Sequence, residues 1–256
     1  MLVDRTAVAV RAWHAWAPGL ETQAQWRQWA GSSAAATAAE DSGPAATANS
    51  PALPMMLRRR ATPLGQKIAI SALGCGHAVR DARYVLASRH GEFSRLLGIL
   101  DALAQDELPS PTDFSMSVHH AMAGLLSIHA GNTAGHTALA AGADTFGMAL
   151  LEAASCIAEQ PDEPVLLLYG DEPLSGAYAG FCDEDTRLPL VAAFALSSPV
   201  LGERAVITAL EPRGSEAASP GTTGCAARDF LRFLLSDAAS AISHGDRIGW
   251  RWHRVD

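Results

Sequence analysis

Apolar and polar positions follow two different periods along the chain, and the switches between them predict the order of its elements. Alternation with period two at 7–13 and an unbroken apolar run at 165–169 predict strands, the second of them covered on both faces. The same signals predict further strands at 83–88, 137–141, 188–196 and 205–210, and an edge strand at 248–255.

Helical spacing of apolar residues separates most of these strands. It predicts helices at 22–30, 64–79, 93–104, 114–129 and 144–158, and a last long helix at 226–243. Strands that alternate with helices are typical of an α/β fold. We therefore expect one domain over residues 1–256, with helices on both faces of a mixed sheet.

One segment breaks the pattern. Residues from about 31 to 54 are almost entirely Ala, Ser, Thr, Gly and Pro, with too little apolar surface to offset the entropy of ordering. We expect a flexible insertion inside the domain.

Composition narrows the choice of ligands. The chain carries 19 Lys and Arg against 27 Asp and Glu, a formal net charge of -8, which disfavours nucleic acid and anionic membranes. No stretch approaches the roughly 18 apolar residues of a membrane span, and the first residues lack a secretory apolar segment. We expect a cytoplasmic protein without a membrane span.

Cysteine and histidine positions indicate neither a metal nor a cofactor. The four cysteines form no CxxC pair, and His119 and His120 are adjacent, so their side chains point in different directions on a helix. We expect no metal and no cofactor.

The segment 110–153 carries a family resemblance. It reads SPTDFSMSVHHAMAGLLSIHAGNTAGHTALAAGADTFGMALLEA and resembles the central part of the amino-terminal half of a beta-ketoacyl synthase. The matching features are a proline, a helix with Ala-Gly in mid-course, a glycine-containing turn, a strand, and a nucleophile elbow that opens a long helix. The resemblance implies half of a thiolase-like fold.

The catalytic cysteine of such synthases has no counterpart here. Aligning the segment without gaps puts Ala143 at the nucleophile position, and an alternative based on Asp144 puts Leu139 there. Neither residue can be acylated, and Cys156 lies roughly three to four helical turns further on. The two histidines from the second half of the family's fold are also expected to be missing.

What remains resembles a chain-length factor of the short type found with aryl polyene and xanthomonadin-like pigment pathways. The resemblance implies a heterodimer with a full-length beta-ketoacyl synthase subunit and an acyl carrier protein nearby. It also implies that one strand pairs antiparallel with its counterpart across the subunit interface. The residues of that strand are His136, Thr137, Ala138, Leu139, Ala140 and Ala141.

Two further sets of residues are candidates for function. In ketosynthases a glycine-rich turn lies near the end of the acyl tunnel. The residues Ser88, His90 and Gly91 occupy its place here, so the resemblance makes the bulk of His90 a candidate gate for the acyl chain. The alternative interpretation of His90 is a solvent-exposed histidine in a turn, without a role in the tunnel. Arg58, Arg59 and Arg60 are candidates for docking the acidic carrier, or form a solvated flank.

Two rival functions remain open at this point. One is a free-standing enzyme that handles acyl thioesters through another residue, such as Cys182 or Cys225. The other is a homodimer that binds an acyl group or carrier without a synthase.

Overall fold

A single mixed sheet runs through the part of the chain that the computed structural model describes, residues 7–32, 53–183, 186–200, 205–212 and 223–255. Its eight strands lie in the order β3-β2-β4-β5-β1-β6-β8-β7. They are β1 Ala7–Trp16, β2 Arg83–Ala87, β3 His136–Leu139, β4 Val165–Asp171, β5 Leu190–Ser197, β6 Ala205–Pro212, β7 Ser240–His244 and β8 Ile248–Val255. Strands β2, β3 and β4 are parallel to one another, and the other pairings are antiparallel.

Helices cover both faces of this sheet, as predicted. They are α1 Gln23–Gly31, α2 Met55–Arg60, α3 Pro63–Gly74, α4 Ala78–Asp81, α5 Phe93–Ala104, α6 Pro111–Ser117, α7 Ala121–Ala130, α8 Thr145–Glu159 and α9 Ala226–Leu235. A 3-10 turn spans Gly176–Phe181.

The sheet divides the apolar interior into two cores. On one face, Val85 and Leu167 join residues of α1, α8 and α9. On the other, Leu86 and Leu166 join residues of α3 and α7. Because neighbouring strand residues point to opposite faces, a strand between two cores must be apolar throughout. The continuous apolar run of β4 satisfies this condition.

Several helices begin where the local sequence favours it. Thr22 and Gln25 form a reciprocal capping box at the start of α1. Thr62 and Ser110 cap α3 and α6 through their hydroxyls, and each is followed by a proline at the first helical position.

Two predicted helices are broken into shorter ones. The helix predicted at 114–129 is wrong as one element, because Val118 is extended and separates α6 from α7. The helix predicted at 64–79 ends at Gly74, and Gly76 has a φ of 68°, a left-handed conformation that suits glycine. Helix α4 follows that turn.

The carboxyl-terminal prediction is wrong in two respects. The predicted helix 226–243 ends at Leu235, and its last residues form β7. Strand β8 is not an edge, since it lies between β6 and β7. The terminal strands, expected to be neighbours, are separated by β6.

The predicted insertion lies mostly outside the described residues, which omit 33–52. Its two flanks are the end of α1 at Gly31 and Pro54 just before α2.

Candidate functional site

Three parallel strands end at the same edge of the sheet. Ala87 of β2 is in register with Leu139 of β3 and with Tyr169 of β4. The backbone N–H of Ser88 donates to the carbonyl of Leu139 at 3.3 Å, so the turn after β2 touches the turn after β3. Open α/β sheets bind ligands beyond the carboxyl ends of their strands. The predicted elbow and the predicted gate turn therefore meet at one place.

The elbow between β3 and α8 is a tight, internally bonded turn. Gly142 has a φ of 61°, where a side chain would be strained. The Thr145 hydroxyl accepts from the N–H of Ala141 at 2.9 Å and donates to the carbonyl of Gly142 at 2.6 Å. Ala143 is half-buried just before the helix.

Asp144 fills the amino terminus of α8 with a buried carboxylate. Only 1% of the residue is exposed, and Trp250 donates its indole N–H to Oδ1 at 3.1 Å. The N–H of Arg247 donates to Oδ2 at 3.3 Å. A Cβ at Gly245 would lie 1.8 Å from Oδ1, and a Cβ at Gly147 would lie 2.1 Å from the Trp250 ring. The start of α8 is therefore closely fitted to the turn between β7 and β8.

The four cysteines lie in different settings, and none is a residue of the elbow itself. Burial raises the pKa of Cys75 to about 12, and burial raises the pKa of Cys156 near the far end of α8. The sulfur of Cys182 interacts with the backbone of Leu174, and Cys225 is buried directly before α9.

The turn that carries the candidate gate, Ser88–Gly91, is called the gate turn below. It is held by hydrogen bonds to Asp171, the last residue of β4. The Ser88 hydroxyl donates to Oδ1 at 2.9 Å, the N–H of Arg89 lies 2.9 Å from both oxygens, and the N–H of His90 lies 3.1 Å from Oδ1. The Ser88 hydroxyl oxygen also accepts from the N–H of Gly91 at 2.8 Å. Burial raises the pKa of Asp171, and these hydrogen bonds oppose that shift.

His119 contacts the gate turn at Ser88 and Gly91. Its Nε2 lies 3.1 Å from the carbonyl oxygen of Ser88. Gly91 has a φ of 60°, and a Cβ there would lie 2.9 Å from Cε1 of His119. The neighbouring His120 stacks instead on His136 of β3, with ring centroids 5.9 Å apart. The two adjacent histidines do point in different directions, as the sequence indicated.

Two more carboxyl groups lie beside the gate turn. Burial raises the pKa of Glu92. The hydrogen bond with the Thr62 hydroxyl and the positive charge of Arg95 lower it, but burial has the larger effect. Burial also raises the pKa of Glu172, and the charges of Glu92 and Asp171 raise it further. This end of the sheet therefore concentrates carboxyl groups that resist ionisation.

Sequence reasoning missed Asp171 and Asp144 as organising residues. The strand predicted at 165–169 stops short of Asp171, which is the last residue of β4, although an acid directly after a buried apolar run marks the carboxyl end of a strand. The sequence pointed to Asp144 only as the basis of the alternative alignment of the elbow. Its hydrogen bond with Trp250 joins residues far apart in sequence, so the local sequence around Asp144 does not predict it.

The basic run is exposed at the end of α2. Arg58, Arg59 and Arg60 all lie on the surface. The guanidinium of Arg95, three residues beyond Glu92, donates to the carbonyl of Arg60. The run is therefore connected to the gate side of the molecule through α5.

Strand β3 lies at one edge of the described sheet. It pairs with β2, and among the described residues no strand covers its other side. His136 and Ala140 are exposed, and Thr137, Ala138, Leu139 and Ala141 are half-buried. Within the described residues no three His, Cys, Asp or Glu side chains are grouped to hold a metal ion, and no helix is long and apolar enough to cross a membrane.

The architecture and the elbow together define a thiolase-like domain of the ketosynthase class. The sequence matches the family profile "Beta-ketoacyl synthase, N-terminal domain" over residues 26–253. The chain belongs to this family. No curated protein sequence matches it.

Solved ketosynthase structures share the fold. One chain from the complex of the ketosynthase ApeO with its chain length factor ApeC, from Xenorhabdus doucetiae, is similar at 28% identity and a TM-score of 0.80, with 97% of this chain and 99% of that chain covered. The ishigamide ketosynthase/chain length factor gives 15% identity and a TM-score of 0.59, covering 88% and 73%. The AntDE:AntF structure, a type II PKS acyl-carrier protein in complex with its ketosynthase, gives 11% identity and a TM-score of 0.65, covering 98% and 100%.

Proposed function

We propose that this chain is a noncatalytic, chain-length-factor-like subunit that pairs with a full-length beta-ketoacyl synthase and shapes the acyl tunnel of the pair. An acyl carrier protein would serve the complex, in cytoplasmic aryl polyene or related fatty acid or polyketide synthesis. The Xenorhabdus structure supports this proposal, because its matched chain comes from a ketosynthase and chain length factor complex and is covered over 99% of its length.

The observation that carries the proposal is the chemistry of the elbow. Ala143, half-buried before α8, has no nucleophilic atom. The next residue, Asp144, keeps its carboxylate buried at the same helix end. A thiolate at that point would face a negative neighbour, whereas synthases use the positive helix end to stabilise it. Leu139, the alternative nucleophile position, belongs to β3 and is equally inert.

Strand β3 supports the location of the subunit interface. The carbonyls of Gly135 and Leu139 accept bonds from β2, at the N–H groups of Tyr84 and Ser88. Backbone groups alternate in direction along a parallel strand, so His136 and Ala138 direct theirs to the uncovered side. An antiparallel strand of a partner could add there through backbone hydrogen bonds.

The exposed face of α5 supports coverage by a partner. Leu96, Leu100 and Leu103 form an apolar stripe along this helix and are 43%, 44% and 55% exposed. Phe114 of the neighbouring α6 is 65% exposed. Exposed apolar groups of this size, close together on two packed helices, are typical of interaction surfaces.

A co-purification experiment with a strand variant tests the proposal. The chain, coexpressed with a full-length synthase, should elute as a stable one-to-one complex. Ala138→Pro removes an N–H on the uncovered side of β3 without removing a bond to β2, and it should abolish the complex. Ala138→Ser keeps the N–H and is the matched control. A wild-type chain that elutes alone, as a monomer or homodimer, contradicts the proposal.

The basic run is a proposed docking point for the acidic carrier. Its three exposed arginines suit long-range attraction more than tight binding. Reversing Arg58, Arg59 and Arg60 to glutamate should slow carrier-dependent turnover at low salt. Unchanged turnover would exclude docking at this position.

A further inference from the structure

Backbone N–H groups of the gate turn converge as in an anion-binding site, and the group they bind is a side-chain carboxylate of the same chain. The backbone N–H groups of Arg89 and His90 point to the carboxylate of Asp171, and that of Gly91 points to the Ser88 hydroxyl. Successive N–H groups that converge in this way form a concave anion site. Here the site is occupied by a side chain that is 2% exposed.

The Ser88 hydroxyl and the N–H groups of Arg89 and His90, all from the one turn, donate to Asp171. The Ser88 hydroxyl adds a third donor residue and links the carboxylate to the fourth residue of the turn. Burial of a carboxylate is costly, and it is tolerated where several donors converge on it. The raised pKa of Asp171 reflects that burial. Loss of the carboxylate would therefore release the whole turn and not a single side chain.

The turn has little freedom on its other sides. His119 lies against Gly91 and bonds the Ser88 carbonyl. The Ser88 N–H bonds the end of β3. The imidazole of His90 packs near Phe93, with ring centroids 6.5 Å apart. Asp171 thereby anchors the backbone that carries the His90 ring.

We infer that Asp171 is a positioning residue that fixes the Ser88–Gly91 turn, and through it the His90 gate that limits the length of the acyl chain. The fixing of the turn stands on the contacts of this chain alone. The effect on chain length rests on the proposed function.

The variant Asp171→Asn tests both parts. It keeps the shape but replaces one acceptor oxygen with a donor, which opposes the converging N–H groups. In the isolated chain, hydrogen exchange at the amides of Arg89 and His90 should accelerate at least about tenfold, since they lose charge-assisted bonds. In the reconstituted complex, the product distribution should broaden and shift in length with little change in total turnover.

Two other variants keep the test decisive. Ser88→Ala removes only the hydroxyl link and should produce a weaker form of both effects, which covers the case that Asp171→Asn does not fold. Asp183→Asn is the matched control, because its carboxylate is half-exposed and binds the Arg89 side chain without touching the turn's amides. It should leave exchange and products unchanged.

Three results would overturn the inference. Unchanged amide exchange in both Asp171→Asn and Ser88→Ala would show that the carboxylate does not hold the turn. Faster exchange with an unaltered product distribution would show that the turn does not set chain length. Equal changes in Asp183→Asn would assign the effect to loss of charge near Arg89. A wild-type chain that binds no synthase contradicts the proposed function instead, and the exchange experiment still decides the first part.

Discussion

Single buried polar contacts organise the carboxyl end of the sheet. Asp144 and Asp171 are 1% and 2% exposed, and each accepts hydrogen bonds from a segment distant in sequence. Asp144 connects the elbow with β8, and Asp171 connects β4 with the turn after β2. A buried charged group that loses a hydrogen-bond partner retains its desolvation cost, so these contacts are sensitive to small substitutions.

The bond from Trp250 to Asp144 gives the first prediction. Trp250→Phe keeps an aromatic ring but removes the indole N–H, so the free energy of unfolding should fall by about 1–3 kcal/mol. Trp252→Phe is the matched control: both tryptophans are 0% exposed, but the indole N–H of Trp252 has no hydrogen-bond partner among the described residues. Urea unfolding of the two variants measures the difference. Equal destabilisation would mean that packing, and not the bond to Asp144, accounts for the loss.

Glu92 gives a prediction about pH. Its pKa is raised in the folded protein, so the folded state binds the proton more tightly than the unfolded state. This group therefore stabilises the fold increasingly as pH falls through the folded pKa toward its unfolded value of about 4.3, and that contribution is lost as pH rises. Glu92→Gln should be at least as stable as wild type at pH 7.

The measurement is urea unfolding of wild type and Glu92→Gln between pH 5 and 7.5. The advantage of the variant should shrink as pH is lowered, because the wild-type carboxyl becomes protonated. Glu107→Gln, at an exposed residue, should run parallel to wild type. An advantage of Glu92→Gln that grows at lower pH would contradict the assigned direction of the pKa.

Among the elements, α5 departs most from its expected environment. Its helical period was predicted correctly, but a period indicates which residues share a face and not what covers that face. Of its residues, Ile99 is buried, whereas Leu96, Leu100 and Leu103 are exposed. The apolar stripe therefore faces outward beside α6.

Lysine substitution on this face gives an element-scale prediction. Leu100→Lys with Leu103→Lys should raise the solubility of the isolated chain and weaken its complex with a synthase at least about tenfold, since charges are depleted from interface cores. Asp101→Lys, on the same helix, is the control for added positive charge. The measurements are light scattering of the isolated chain and titration with the synthase. Full affinity in the double variant would exclude α5 from the interface.

The ends of the elements were less predictable than their periods. The helix predicted at 226–243 extended into β7, whose residue Ser243 donates its hydroxyl to buried Asp229 at 2.6 Å. The helix predicted at 114–129 concealed the break at Val118, which lets His119 reach the Ser88 carbonyl. In both cases a hydrogen bond between residues distant in sequence lies at the point where the prediction fails, and apolar periodicity carries no information about such a bond.

At the scale of the whole molecule, the alternation of strands and helices was enough to predict an α/β fold, and the mixed sheet came with the thiolase-like resemblance. The resemblance of 110–153 led to the correct family. Strand order could not be predicted, because the insertion of β6 between β1 and β8 depends on long-range pairing. The contact between the gate turn and the elbow could also not be predicted from the sequence. It depends on the parallel pairing of β2 with β3 and β4, which only the structure shows.

The proposed subunit contributes shape and no nucleophile to a condensing complex. The most direct measurement is native mass spectrometry of the chain coexpressed with its synthase, after exposure to a thiol-reactive acyl-thioester mimic. We expect a one-to-one complex with a single label, carried by the synthase subunit. A label on Cys182 or Cys225 of this chain, or no complex at all, would contradict the account.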